Sequence, residues 1–98
     1  MTSPADNVLR LEGALTMRSA PAVLESGRRR VAEGDLVVDF SAVTEADSAA
    51  LALVLDWLRA ARAAGHGLVL HALPAGLTSL AALYDVDALL PLSGTHPR

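Results

Sequence analysis

Apolar and polar positions alternate along Val8-Leu9-Arg10-Leu11-Glu12, and the alternation stops at Gly13. A period of two with Leu9 and Leu11 on one side predicts a short strand. A polar turn follows, Thr16 to Ser19. Ser19 is a candidate N-cap, and Pro21 suits a first helical turn. Ala22-Val23-Leu24 and Val31 supply the apolar face of this helix, which Gly34 ends. Asp35-Leu36-Val37-Val38-Asp39-Phe40 is short, β-branched and nearly all apolar. A strand buried on both faces reads this way, which favours the centre of a mostly parallel sheet.

A loop, Ser41 to Ala46, leads to Asp47. Every residue from Ser48 to Ala64 tolerates a helix, and Gly65 stops the run. Leu51, Leu55, Leu58 and Ala61 fall at helical spacing, with Leu53 and Trp57 as a second apolar stripe. Gly67 to Ala72 predicts a third strand. Pro74 opens a third helix, with Leu77, Leu80, Ala81 and Tyr84 on one face. Asp85 to Leu92 is a short apolar return, either a last strand or a turn. Residues 1–6 and 93–98 read as flexible tails around one domain over residues 7–92.

Strands alternating with helices predict an α/β layer fold with a mixed or parallel sheet. Sites in such sheets gather at the carboxyl ends of strands. Two loops qualify, Gly13 to Ser19 and Ser41 to Ser48.

Composition narrows the picture. Ninety-eight residues suffice for one domain and no more. Zero cysteines exclude disulfides and thiolate metal sites. A net charge of −3 and a pI near 5.4 argue against a nucleic-acid footprint. A mean hydropathy of +0.38 raises the question of a membrane span. The most apolar stretch, Ala49 to Leu55, is cut by Asp56, Arg59 and Arg62, and a span needs about 20 apolar residues. The N-terminus has neither the basic nor the apolar region of a signal peptide. The expectation is a cytoplasmic protein without direct membrane insertion. Its apolar balance suggests self-association.

The most informative segment is Asp47-Ser48-Ala49-Ala50-Leu51. Asp47 reads as a helix cap, accepting from free backbone N–H groups for about 1 kcal/mol. Ser48 reads as a hydroxyl in the first helical turn, where free N–H groups and the helix dipole favour a phosphate. The two readings are compatible. Asp39 reads as a brace for the loop after its strand. Arg28, Arg29 and Arg30 fan out around their helix rather than forming one patch. His66, His71 and His96 are too scattered for a metal site. Ser48 has no histidine base nearby in sequence and no nucleophile elbow, and there is no Gly-rich phosphate loop. No catalytic residue, metal or cofactor is expected.

Val37-Val38-Asp39-Phe40-Ser41, then Val43, then Asp47-Ser48-Ala49-Ala50-Leu51 resembles the STAS domain family. Within it the chain is similar to MlaB-like subunits, through Leu51 to Leu58, Leu73-Pro74, Leu77 to Val86 and Leu89-Leu90-Pro91. The resemblance implies a mixed sheet of about four strands with helices mainly on one face. It implies a non-catalytic subunit that binds and activates or stabilises the ATPase (MlaF-like) of a Mla-type phospholipid ABC transporter. That complex contains a membrane permease. It also implies a partner-binding set: Thr16, Asp47, Ser48 and Ala49. Leu53 and Trp57 either extend that surface or belong to the core. The alternative within the family is an anti-sigma-factor antagonist switched by phosphorylation of Ser48. Ala49 and Ala50 stand where such antagonists commonly carry Ser and Gly.

Overall fold

A computed structural model describes residues 7–91. The expected tails, and Leu92 at the domain's expected end, lie outside the described residues. Three strands and three helices alternate: β1 (Val8–Leu15), α1 (Ala20–Glu33), β2 (Leu36–Ala46), α2 (Ser48–Ala64), β3 (Leu68–His71) and α3 (Ala75–Leu83). The sheet order is β1-β2-β3 and both pairings are parallel.

Right-handed crossovers that step one way across a sheet put their helices on the same face. Here α1 and α2 do pack together, joined by Arg28–Asp56 and by Trp57 Nε1–H donating to the Leu24 carbonyl. Leu9, Leu11, Leu15, Leu36, Val38, Phe40, Leu68 and Leu70 point beneath them into one core with Val54, Trp57, Leu77 and Ala81. The opposite face carries two cross-strand rows, Val8-Val37-Val69 and Arg10-Asp39-His71. Among the described residues β2 is covered on one face only, which corrects the expectation of a strand buried on both. Val37 and Asp39 are half-buried rather than buried.

Both long strands run further than the alternation predicts. β1 continues through Gly13, whose φ of +73° glycine adopts without penalty, to Leu15. β2 absorbs the expected Ser41–Ala46 loop, because Glu12, Gly13, Ala14 and Leu15 stay beside it to pair with Ala42, Val43, Glu45 and Ala46. The register shifts between Arg10 and Glu12, where β2 carries an extra residue. Asp39 braces that bulge. Its Oδ1 accepts from Ser41 N–H at 2.9 Å and its Oδ2 from Arg10 Nε at 3.3 Å. The Ser41 contact, above all, holds the Asp39 carboxyl below its ordinary range.

Among the described residues the sheet is three-stranded and parallel, and the expected fourth strand and mixed pairing are not confirmed there. Asp87–Leu89 forms a short 3-10 helix where a last strand or turn was expected. Pro91 then reaches the outer edge of β3, its carbonyl accepting from Leu70 N–H at 2.8 Å. Tyr84 is exposed, not part of a buried stripe, because α3 stops at Leu83 and only Leu77 and Ala81 bury. Ser19 precedes α1 but does not cap it. Its hydroxyl turns back on the preceding loop instead.

Candidate functional site

Asp47 ties together the carboxyl ends of β1 and β2. It sits in extended conformation at the N-terminus of α2, and Oδ1 accepts from Ala49 N–H at 2.8 Å. Oδ2 accepts from Met17 N–H at 3.3 Å, and the Asp47 N–H donates to the Leu15 carbonyl at 3.3 Å. One carboxylate therefore caps the helix and fixes the turn after β1. That turn is braced again from within. Thr16 N–H donates to Ser19 Oγ at 3.0 Å, and the Thr16 carbonyl accepts from Ser19 and Ala20 N–H.

Ser48, the first residue of α2, is exposed, and its hydroxyl has no hydrogen-bond partner among the described residues. Its neighbourhood combines a helix N-terminus with a free hydroxyl, the setting in which an acceptor-rich group is stabilised. Thr16, in the turn that Asp47 fixes, and Ala49, the next residue of α2, are half-buried. The sequence-derived loops shrink to residues 16–19 and Asp47, since strand pairing claims the rest.

Beside Ser48, a groove of about 390 Å³ runs between α1 and α2. Ala49, Leu53 and Asp56 line it from α2, and Met17, Pro21 and Leu24 from the α1 side. At its far end Asp56 grips Arg28 through two contacts, Nε–Oδ2 at 2.8 Å and Nη2–Oδ1 at 3.0 Å. The Arg28 hydrogen bond is the main cause that lowers the Asp56 carboxyl below its ordinary range.

Leu53 and Trp57 part ways here. Leu53 is nearly buried yet forms part of the groove floor. Trp57 is core and offers no partner surface: it is fully buried beneath α1, and its Nε1–H is spent on the Leu24 carbonyl at 3.0 Å. Met17 was missed by the sequence reading, although 75% of it is exposed at the groove mouth. A lone apolar residue inside the polar Thr16–Ser19 turn was its only signal. No group of three or more histidine, aspartate or glutamate side chains converges on a metal-sized site among the described residues. No helix there is long and apolar enough to cross a membrane.

Solved structures share this architecture. A candidate anti-sigma factor antagonist from Thermotoga maritima superposes with a TM-score of 0.75 at 18% identity, covering 92% of this chain and 81% of its own. The unphosphorylated anti-sigma factor antagonist SpoIIAA gives 0.70 at 16% identity, over 88% and 77% of the two chains. Phosphorylated SpoIIAA, a Bacillus cell fate determinant, gives 0.68 at 16% identity, over 88% and 80%. At these identities the likeness is one of fold. No curated protein matches the sequence. The family model described as the MlaB STAS domain matches residues 2–91, nearly the whole chain. The chain belongs to the MlaB-type STAS domain family.

Proposed function

We propose that this protein is a non-catalytic regulatory subunit of a Mla-type phospholipid ABC transporter. It binds the cytoplasmic ATPase, stabilises it and raises its turnover, and so sits at the membrane only through that complex. The match to the MlaB STAS domain over residues 2–91 carries this reading. The proposed docking surface joins Thr16, Asp47, Ser48 and Ala49 with the groove over Leu53. An unpartnered hydroxyl beside an apolar groove suits a partner that supplies one polar contact and one anchoring side chain. A subunit that touches only one state of the ATPase dimer shifts its population by that difference in affinity. Tenfold preference corresponds to about 1.4 kcal/mol.

A second reading has its own support. SpoIIAA, of like fold, is solved with and without its phosphate, and Ser48 is an exposed hydroxyl at a helix N-terminus. This chain would then be an anti-sigma-factor antagonist, switched by about −1.5 to −2 charges added at Ser48.

One experiment separates the two. Tagged wild-type and Ser48→Arg protein are used as bait in the source cells, with captured proteins read by mass spectrometry. The transporter reading expects an ABC ATPase with wild type and its loss with the variant. A kinase in its place, with a phosphate on Ser48 by intact mass, moves the protein to the switch class.

A further inference from the structure

The outer edge of β1 pairs with no strand among the described residues. In a parallel pair, alternate residues direct their backbone groups toward the neighbouring strand. The Asn7 carbonyl accepts from Val37 N–H, so Leu9 and Leu11 also face β2. Val8, Arg10 and Glu12 then direct their N–H and C=O groups outward, where no strand pairs with them among the described residues. Arg30 Nη1 covers the Val8 carbonyl at 3.1 Å. No described side chain does the same for Arg10 or Glu12. Beside this open stretch lies a groove of about 360 Å³, walled on the α1 side by Ala22, Val23 and Ser26.

An open strand edge against an apolar wall accepts an added strand. The residues of β1 say which one. Let a second β1 run antiparallel, with a two-fold axis through Leu11. Arg10 of each copy then lies opposite Glu12 of the other, and Leu11 opposite Leu11. Both Arg10–Glu12 pairs are of the hydrogen-bonded kind, so they use the outward backbone groups. Both side chains lie on the exposed face of the sheet, where opposite charges across strands attract. Glu12 forms no salt bridge among the described residues. Sliding the register by one pair sets Arg10 against Arg10, or Glu12 against Glu12, so like charges exclude the neighbouring alignments. The bulge near this point lies on β2, which leaves β1 regular from Val8 to Glu12.

We infer that this edge takes a second copy of the same chain, forming a symmetric dimer with one continuous sheet of twice three strands. This surface is separate from the proposed docking site. At 3.6 residues per turn, Ala22, Val23 and Ser26 lie on the opposite side of α1 from Ala20, Pro21 and Leu24. The dimer therefore stands or falls independently of the transporter reading.

Sedimentation velocity of the full chain, from micromolar to millimolar concentration, tests it. Wild type should sediment as a concentration-dependent dimer. Glu12→Arg should weaken the dimer about tenfold or more, since both symmetric pairs become repulsive. Arg10→Glu combined with Glu12→Arg should restore it, while Ser48→Arg leaves it unchanged. Far-UV circular dichroism checks that each variant is folded. Ala22→Arg, which fills the groove from an exposed helix position, should also yield monomer. A wild-type protein that stays monomeric overturns the inference, as does a dimer indifferent to both Glu12→Arg and Ala22→Arg.

Discussion

The indole of Trp57 lies directly over the bare backbone of Gly27, and no room remains there for a Cβ. The same indole donates to the Leu24 carbonyl, three residues earlier on α1. Alanine in place of a helical glycine ordinarily stabilises by about 1 kcal/mol. At this crossing the sign reverses, because an added methyl enters the Trp57 ring and overpacking costs about 1–3 kcal/mol. Gly27→Ala should lower the melting temperature by several degrees in a thermal circular dichroism scan. A rise would mean that the helices do not cross at this pair.

Asp47 serves two backbone donors, one on each side of the site. Asp47→Ala should cost about 1 kcal/mol, the ordinary value of a lost cap, or about 4–8 °C in a domain of this size. Asp47→Asn keeps an acceptor oxygen and should lose less. Equal losses for the two would remove the cap from the account, with urea denaturation as the measure.

Met17 stands at the mouth of the groove with three quarters of its surface in water. Met17→Asp should leave the melting temperature within about 2–4 °C, as expected for an exposed position. If the groove anchors the ATPase, affinity should fall about tenfold or more, as at an interface hot spot. Calorimetry with the purified ATPase reads both partners directly. Unaltered affinity would take Met17 out of the interface.

Two carboxylates make stability depend on acidity in a defined direction. Asp39, held by Ser41 N–H, and Asp56, held by Arg28, both lie below the ordinary 3.8 in the folded chain. The unfolded chain therefore takes up protons first as pH falls. Their contribution is complete above about pH 5 and is lost as pH drops through the folded values. Melting temperature should decline on acidification below about pH 4. Asp56→Asn should start lower at pH 7 and decline less steeply, and a parallel decline would assign the acid sensitivity to other groups.

The sequence marks both ends of α2, because Asp47 and Gly65 have the chemistry that helix termini require and both are found in those roles. The ends of β1 and β2 are not marked. Residues Ser41 to Ala46 are polar enough to read as a loop, and they become strand only because β1 remains alongside. That support is tertiary and leaves no trace in local composition. Trp57 poses the same problem, since helical spacing groups it with Leu53 without saying what covers either. Gly27 holds the missing information. A glycine in mid-helix weakens the helix, and here it makes room for the one large ring packed against it. At the site, Asp47 and Ser48 were legible because a cap must be local, whereas Met17 joined them only through the approach of α1 to α2.

Parallel pairing also sets an order of events during synthesis. Arg10 meets Asp39 across 29 positions, and Gly67 reaches Asp35 across 32. Among the described residues no hairpin exists to form first. At translation rates of about 5–20 residues per second, β1 waits roughly 1.5–6 s before β2 can join it. Late in that interval Leu9 and Leu11 gain one local element to turn to, α1, whose Ala22 and Val23 lie beside them in the finished fold. Helix formation takes microseconds or less, so this cover is available as soon as α1 leaves the ribosome. The nascent strand thus shelters under the segment that follows it until its permanent neighbour is made.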